Sequence, residues 1–392
     1  MVIYRKFGKD ETELSSLGFG AMRLPRTTDG RNNIDEDKSI EIIHRAWDLG
    51  INYIHTAPGY SDQKSDSIIG QALRSYNGDT KNIHISASVY PGDGSSSTTL
   101  KILNTSLESF GVDHVDYYQL WCIYLSDFDR WVKQSDGPFN AMKWAKKYGM
   151  IKHLGFSSHD TPERIKIMID SGLFDFMLVQ YNILDRRNES VIEYAKNKGL
   201  GVSTMGSVVG GKLNMHHQID SDENVTNLLI NKSISPNEMA LRFVLANSNV
   251  DVALSGMNTI KMIEENVKIA STDSLLTEEE ITQIKEIGNR FRTLADLYCT
   301  GCDYCRPCPK GINIPVIFDI MNYHRVYKMT HCAKGSYHGL LNGGYFTRSN
   351  SPTTCIECGV CEKRCPQKLP IVKQLMEAHQ TLCPQKTSML NS

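Results

Sequence analysis

This 392-residue chain lacks several features that mark large classes of protein. Neither sign of charge is in excess, because the formal net charge is −1. The chain as a whole therefore exerts no strong electrostatic attraction on nucleic acid or acidic lipid. No apolar run approaches the length of a membrane span, and the first residues, MVIYRKFGKDE, lack the apolar core of a secretory signal. These absences predict a cytoplasmic protein without nucleic-acid or membrane partners.

A glycine-rich dinucleotide fingerprint is also missing, although the rest of the pattern is that of an α/β protein. From about residue 14 to about 270, short apolar runs alternate with amphipathic stretches, in about eight strand-plus-helix units over roughly 250 residues. This pattern predicts a (β/α)8 TIM barrel. A doubly wound open sheet is the alternative, but such a sheet usually carries a G-x-G-x-x-G motif, and none occurs here.

Cysteine, in contrast, is concentrated in two runs near the C-terminal end. Residues 299–309 read CTGCDYCRPCP and residues 355–366 read CIECGVCEKRCP. Three thiolates spaced two residues apart can hold three corners of an iron–sulfur cube, and in two-cluster ferredoxins the fourth cysteine of each run ligates the other cluster. We therefore expect one [4Fe–4S] cluster to be held by Cys299, Cys302, Cys305 and Cys365, and the second by Cys355, Cys358, Cys361 and Cys308.

Two other uses of these cysteines fit the pattern less well. A structural zinc site also uses paired C-x2-C units, but it needs four sulfurs rather than eight in two runs that each end in Cys-Pro. A disulfide framework needs an oxidising compartment, and adjacent C-x2-C units are poorly placed for complete pairing. Three cysteines lie outside the runs and are predicted to be buried thiols: Cys122, Cys332 and Cys383.

The predicted domains follow from these two patterns. The barrel is expected over residues 1–275 and a connecting helix over 276–298, where Thr277 and Glu280 fit a capping box. A small ferredoxin-like domain with two [4Fe–4S] clusters is expected over residues 299–392.

Several segments resemble a known family. The successive landmarks of the aldo/keto reductases are similar to GINYIHTAPGY, DHVDYYQL, IKHLGFSSHD, VQYN and SGMNTIKMIEENV. The two cysteine runs, with KGINIPVIF after the first, resemble the C-terminal extension of the iron–sulfur-containing branch of that family. The resemblance implies a TIM barrel whose active site lies at the C-terminal ends of the strands, and NADP(H)-linked carbonyl reduction as the ancestral chemistry.

The catalytic landmarks of the family are mostly replaced in this chain. The family uses an Asp, a Tyr that donates a proton, a Lys that tunes the Tyr, and a His that orients the substrate. By resemblance, these positions read His55 for the Asp, Tyr60, Ser88 or Val89 for the Lys, and Trp121 for the His. Because a tyrosine pKa lies near 10, its use as an acid relies on a nearby positive charge.

Each replacement has a functional and a purely structural interpretation. His55 either supplies charge to Tyr60 or relays its proton, or else it only packs at the barrel mouth. Trp121 either offers a stacking surface for a flat ligand or fills the mouth. His159, which follows the fifth barrel strand, is a candidate for ligand contact only.

The resemblance also implies an adenine-nucleotide pocket. The strand-7 landmark of the family reads Met205-Gly206-Ser207-Val208, so one wall of that pocket has changed. A helix N-terminus near Thr259 would suit a phosphate. The nicotinamide contacts fall on Ser157, Ser158 and Gln180. The phosphate and adenine contacts fall on Ser255, Gly256, Met257, Asn258, Glu265 and Asn266.

Three functions remain open from the sequence. The first is a redox enzyme in which two [4Fe–4S] clusters pass electrons to or from a substrate or nucleotide at the barrel mouth, with ferredoxin or flavodoxin as a candidate electron donor. The second is NAD(P)H-dependent carbonyl reduction with structural clusters. The third is a barrel without catalysis that serves as an electron-transfer or scaffold protein. NADP(H) and a flavin are further candidate cofactors, and a small molecule is the expected substrate.

Overall fold

The computed structural model of the chain describes most residues in two compact units. Of the described residues, those up to 208 and those within 235–281 form one unit, and those within 282–383 form the other. None of the helices in the described parts of the chain is long and apolar enough to cross a membrane. The described residues are 2–10, 12–28, 33–90, 92–208, 235–271, 276–286, 299, 305–325, 329–343, 348–365 and 368–383.

The first unit is a closed barrel of eight parallel strands, which confirms the (β/α)8 prediction. A short antiparallel hairpin, β1 (Tyr4–Phe7) and β2 (Thr12–Ser15), precedes the barrel. The barrel strands follow one another around the ring in chain order, and the last pairs with the first. They are β3 (Leu17–Gly20), β4 (Tyr53–Thr56), β5 (His84–Val89), β6 (Val115–Leu120), β7 (Ile151–Ser158), β8 (Phe176–Gln180), β9 (Gly201–Met205) and β10 (Val252–Ser255).

Helices alternate with these strands, and several begin at a side-chain cap. The side chains of Asp35, Ser95, Ser235 and Thr259 each accept a backbone N–H bond three residues ahead, which satisfies one of the unpaired donors of the first turn. The described barrel helices are α1 (Glu36–Asp48), α2 (Ser65–Ser75), α3 (Ser96–Phe110), α4 (Leu125–Phe128), α5 (Pro138–Lys147), α6 (Pro162–Asp170), α7 (Glu189–Asn197), α8 (Pro236–Ala246) and α9 (Ile260–Ala270).

Aromatic side chains close the N-terminal end of the barrel. Phe7 of the hairpin meets Tyr117 edge to face with ring centres 5.0 Å apart, and Tyr117 meets Phe176 at 5.4 Å. A methyl group on Gly155 would lie 2.5 Å from the ring of Phe176, so only glycine fits there. Each such buried ring contributes about 1.5–3 kcal/mol. Because this end is filled, a ligand site in the barrel falls at the opposite end, where the strands have their carboxyl termini.

Helices also form the core of the second unit. The apolar residues of these helices recur three and four positions apart, so they share one face and pack together. Cysteines of both runs pack against this core. The helices are α10 (Ile314–Arg325), α11 (Thr330–Asn342), α12 (Val360–Arg364) and α13 (Ile371–Leu382).

The predicted capping box after residue 276 is present. The backbone N–H of Thr277 donates to Glu280 Oε2 at 2.7 Å, and the backbone N–H of Glu280 donates to Thr277 Oγ1 at 3.3 Å. The reciprocal pair satisfies two donors at the start of a helix.

Candidate active site and cysteine cavity

His55 lies inside the barrel on β4 and is buried, with 3% of its surface exposed. Its Nδ1 lies 3.2 Å from the hydroxyl oxygen of Ser86 on the neighbouring strand. Burial lowers the pKa of His55 to about 4, because the charged imidazolium loses its hydration. The imidazole is therefore neutral near pH 7 and supplies no positive charge to Tyr60.

Tyr60 follows β4 and sits at the mouth of the barrel. Its ring meets that of His55 at 6.0 Å and that of Trp121 at 5.7 Å, both edge to face. Burial raises the pKa of Tyr60, and the neighbouring Cys122 raises it further. Tyr60 is thus a weaker acid than a free phenol, which is the opposite of the tuning that the family's lysine provides.

The turn after Tyr60 has a backbone that is rare for residues other than glycine. Ser61, Asp62 and Gln63 have φ angles of 49°, 57° and 67°, and each left-handed residue costs about 1–2 kcal/mol. Two contacts hold the turn in place. Arg26 donates two hydrogen bonds to Asp62 at 2.8 and 3.0 Å, and the Ser61 hydroxyl donates to Ala21 O at 2.8 Å. Strain of this kind is concentrated at functional sites in proteins.

Ser88, rather than Val89, faces the barrel interior, at the strand end where the resemblance predicts the family's lysine. Gln119 Nε2 donates to Ser88 Oγ at 2.9 Å, and both residues are buried on adjacent strands. Val89 points to the other face of the sheet, because side chains alternate along a strand. Gln119 Oε1 is buried and has no partner among the described residues. The floor of the mouth is therefore polar but uncharged.

Trp121 belongs to a connected series of aromatic rings. Its ring meets Tyr90 at 6.4 Å as well as Tyr60, and Tyr90 in turn meets Trp131 at 5.5 Å. All of these contacts are edge to face. Tyr90 is 53% exposed, so the series runs from buried His55 to the surface of the barrel mouth. Such an arrangement can accommodate a flat ligand, although packing alone also accounts for it.

Cys122 is a residue of the mouth that the sequence prediction assigned to the buried thiols. It has a left-handed backbone, φ 58°, and its N–H donates to Ser157 Oγ at 2.8 Å. Burial raises the pKa of its thiol to about 11, so the thiol stays protonated. Nothing in the sequence marks this position except that it follows Trp121.

The residues predicted to contact a nicotinamide are partly engaged with the protein itself. Ser157 Oγ accepts from Cys122, and the Ser158 hydroxyl donates to Ile123 O at 2.7 Å. Gln180 lies over Gly206, where an added methyl group would be 2.6 Å from its amide nitrogen. Three predicted contacts thus lie at the ends of neighbouring strands β7 and β8, as the resemblance implies.

The predicted phosphate end is formed by β10 and α9. Asn266 Nδ2 donates to Ser255 Oγ at 3.2 Å, which joins the helix to the strand. The helix begins at Ile260 after the Thr259 cap, as predicted. Arg23, which the sequence prediction missed, has its side chain against Gly256. Met257 is fully buried, Asn258 is exposed at the turn, and Glu265 forms an exposed ion pair with Lys261 at 3.7 Å.

His159 follows β7, as predicted for a residue of the mouth. Burial lowers its pKa to about 4, and the charge of Arg187 acts in the same direction. The residue is therefore also neutral near pH 7. Its role as a ligand contact stays a prediction.

A cavity in the second unit brings together cysteines from both runs. Its walls are largely apolar, with Ile312, Ile314 and Leu375 among them. A set of soft thiol donors in apolar surroundings suits an iron–sulfur cluster. The cysteines that line the cavity are Cys305, Cys308, Cys355, Cys358 and Cys361.

Four of these five cysteines are the set predicted for the second cluster, and Cys305 is predicted for the first. Cys365 is buried and Cys299 packs against the core of the same unit, whereas Cys302 lies outside the described residues. Among the described residues, no three Cys, His, Asp or Glu side chains converge on a point that would suit a single metal ion. A cube holds its ligands apart at its corners, so cluster ligands need no such convergence.

The closed parallel barrel, with its polar mouth at the strand ends, defines a TIM-barrel enzyme with an added cysteine-rich unit. Residues 16–289 match the aldo/keto reductase family, and residues 298–369 match a 4Fe-4S dicluster domain. The protein therefore belongs to the aldo/keto reductase family. It is an oxidoreductase of that family with a 4Fe-4S dicluster domain, as the sequence predicted.

Three individual relatives and solved structures each match about three quarters of this chain. The chain is 25% identical over 320 residues to an uncharacterized oxidoreductase of Bacillus subtilis, covering 75% of this chain and 97% of the relative. An aldo-keto reductase of Bacillus halodurans in its holo form superposes with a TM-score of 0.62 at 26% identity, over 73% of this chain and 96% of that one. An aldo/keto reductase of Klebsiella pneumoniae in complex with NADP and acetate has a TM-score of 0.60 at 19% identity, over 73% and 95%, which shows the fold alone.

Proposed function

We propose that this protein is an iron–sulfur-dependent oxidoreductase with a non-standard active site, in which two [4Fe–4S] clusters pass electrons to or from a small molecule at the barrel mouth. The observation that carries the proposal is the protonation state of the mouth. His55 has a pKa of about 4, and burial raises the pKa of both Tyr60 and the Cys122 thiol. No positive charge at Ser88 offsets these effects.

Hydride transfer to a carbonyl builds negative charge on its oxygen, which a positioned acid or cation must neutralise in the transition state. The neutral groups described at this mouth lack the charged lysine that tunes the tyrosine of the family, so they stabilise such charge less than that arrangement would. Clusters, when bound by the two cysteine runs, supply single electrons. In that chemistry Tyr60, His55 and Trp121 position the ligand. The Tyr60 phenol or the Cys122 thiol donates a proton to the ligand once the added electrons have made it strongly basic.

A second function is favoured by a separate observation. The strand end at Ser255, its bond to Asn266 and the capped start of α9 resemble a nucleotide phosphate site. With NADP(H) there, the protein would be a carbonyl reductase in which the clusters are structural. A bound flavin would accept a hydride from the nucleotide and pass single electrons to the clusters. The presence of a flavin stays a prediction.

The two functions are separated by two measurements on the holoprotein. NADPH fluorescence titration tests the nucleotide site, and the absence of binding would remove the carbonyl reductase. EPR after dithionite reduction tests the clusters, and clusters that stay silent at very low potential would remove electron delivery. If both measurements are negative, the barrel serves as a scaffold.

The residues of the mouth are tested by variants in the same assays. We expect His55→Ala and Tyr60→Phe to reduce any turnover at least tenfold, whereas Tyr148→Phe, at a tyrosine that is 61% exposed, leaves it unchanged. Unchanged turnover in both mouth variants would reject their assignment.

A further inference from the structure

We propose that the face around the cysteine cavity is the docking surface for an acidic protein that carries single electrons. The inference rests on the proposed function, because it concerns the route by which electrons reach the clusters. It adds the place of contact and the charge of the partner. Three features of the described residues carry it: an exposed thiol, an exposed apolar side chain beside it, and a rim of cations.

The thiol and the apolar side chain lie together at the cavity. Cys358 is exposed, Ile356 is 57% exposed, and both line the cavity. A single exposed isoleucine is common on protein surfaces. Here, however, it stands two residues from an exposed cysteine that is predicted to ligate a cluster, so it marks the point where that cluster would come nearest to a partner.

Cations flank the cysteines in both runs, and one of them, Lys310, lines the cavity itself. Each of them is exposed and lies within three residues of a cysteine of the two runs. Arg364 Nη1 donates to the backbone oxygen of Arg306 at 3.3 Å, so the two runs present their cations next to each other. The rim consists of Arg306, Lys310, Lys363, Arg364 and Lys368.

Carboxylates are fewer at the same place. Glu357 is exposed, and Glu362 accepts a backbone bond from Val372 at 3.0 Å. Five cations against two carboxylates give the described rim a net charge of +3, although the whole chain has a net charge of −1. The positive charge is therefore a local property of this face.

A small apolar centre with a charged rim is typical of weak, rapidly exchanging electron-transfer complexes. A rim of one sign steers a partner of the opposite sign and raises its association rate. The geometry therefore favours an acidic carrier protein over a small neutral reductant. Nucleic acid is also acidic, but the described rim offers no aromatic side chain on which a base could stack.

The test compares two reductants on the oxidised holoprotein by stopped-flow bleaching of the cluster absorbance. One is a reduced, acidic two-[4Fe–4S] ferredoxin and the other is dithionite. The rim variants are Lys310→Glu and Lys363→Glu. The matched control is Lys101→Glu, an equally exposed lysine of the barrel helix α3.

At low salt we expect each rim variant to slow reduction by ferredoxin about tenfold, with the difference shrinking as salt is added. The rate with dithionite should change by no more than about threefold, and Lys101→Glu should resemble the wild type. The proposal would be overturned if ferredoxin reduced the wild type and the rim variants at equal rates, or if these reduction rates did not depend on salt concentration.

Failure of the docking surface can be told from failure of the proposed function. If dithionite itself does not bleach the clusters, electron delivery fails. Calorimetry of oxidised ferredoxin binding to the wild type and the same variants then tests the docking surface without any electron transfer. A wild type that binds a labelled oligonucleotide through this rim and does not bind ferredoxin would assign the face to nucleic acid instead.

Discussion

The rings of His55 and Tyr60 meet edge to face, with 6.0 Å between their centres and 76° between their planes. The contact is one of packing, because the Nδ1 of His55 lies within hydrogen-bond distance of Ser86 instead. Two residues that the family resemblance placed at a catalytic centre are thus neighbours, but burial keeps both uncharged near neutral pH. Among the described residues, neither His55 nor Ser88 places a positive charge beside Tyr60.

The first prediction concerns the pH dependence of barrel stability. Unfolded His55 binds a proton below its ordinary pKa of about 6.5, whereas the folded residue binds it only below about 4. Between these values the unfolded state holds more protons, so stability rises with pH. We expect His55 to cost about 3 kcal/mol of stability below pH 4, at about 1.4 kcal/mol for each pKa unit.

Urea unfolding of the barrel as a function of pH measures this effect. His55→Asn should lose that part of the slope of stability against pH. The control His114→Asn, at the residue just before β6, should keep it. NMR of labelled histidines should show the His55 ring neutral down to about pH 5. A His55 signal that titrates near pH 6.5 would contradict the prediction.

The second prediction concerns the left-handed turn after Tyr60. Gln63 has a φ of 67°, so Gln63→Gly should stabilise the barrel by about 0.5–1 kcal/mol. Gly149 has a φ of 78° with no atom within 4 Å of an added methyl group. Gly149→Ala is therefore a matched control of opposite sign, expected to destabilise by about 1 kcal/mol. Chemical denaturation measures the free energy of unfolding of both variants. If the two substitutions change it in the same direction, the proposed backbone strain at Gln63 is rejected.

The barrel could be predicted from the sequence because its signal is repeated. Apolar runs and amphipathic helices recur with a fixed alternation, and helix caps such as Asp35 and Thr259 mark starts locally. The pairing of His55 with Ser86 and of Ser88 with Gln119 could not be predicted in this way, because it depends on strand register. Register also turns Ser88 rather than Val89 towards Gln119 in the barrel interior, and its match to the family's lysine stays a prediction.

The site was less predictable for a physical reason. Cys122 reaches the mouth at a left-handed backbone position that leaves no pattern in the sequence. Arg23 meets Gly256 only because the barrel closes β10 against β3. The pKa of His55 depends on its burial, which only the packed barrel defines. The cysteine runs, in contrast, carry their chemistry in their own spacing, and five of their members line one cavity.

The third prediction concerns the nucleotide pocket. Gly206 has a φ of 70°, and a methyl group there would lie 2.6–2.9 Å from the side-chain atoms of Gln180. Gly206→Ala should displace Gln180 and weaken NADPH binding about tenfold if Gln180 contacts the nicotinamide. Fluorescence titration measures the affinity, with Gly149→Ala as the control for left-handed backbone alone. Unchanged affinity in Gly206→Ala would remove Gln180 from the pocket.

The fourth prediction concerns the crossed ligation of the clusters. Cys308 belongs to the first run but lines the cavity with three cysteines of the second. Cys308→Ala should remove one cluster and lower the iron content from about eight atoms to about four. Cys332→Ala, at a buried cysteine of α11 outside both runs, should keep all the iron. Iron analysis and EPR measure the outcome, and full iron in Cys308→Ala would reject this ligand.

The last prediction asks whether the family's charge arrangement can be restored. Ser88→Lys alone would place an unpaired ammonium beside buried Gln119 and should cost about 3–5 kcal/mol. Adding His55→Asp provides the missing partner, so the double variant should recover about 1–3 kcal/mol of coupling energy in a double-mutant cycle.

The restored pair should also act on Tyr60. A lysine ammonium near the phenol stabilises the phenolate, so the pKa of Tyr60 should fall in the double variant. His55→Asp alone places a negative charge nearby and should shift that pKa in the opposite direction. Ultraviolet difference titration against Tyr60→Phe in each background isolates the Tyr60 signal from the other tyrosines. If the pKa of Tyr60 is the same in all backgrounds, Ser88 does not occupy the lysine position.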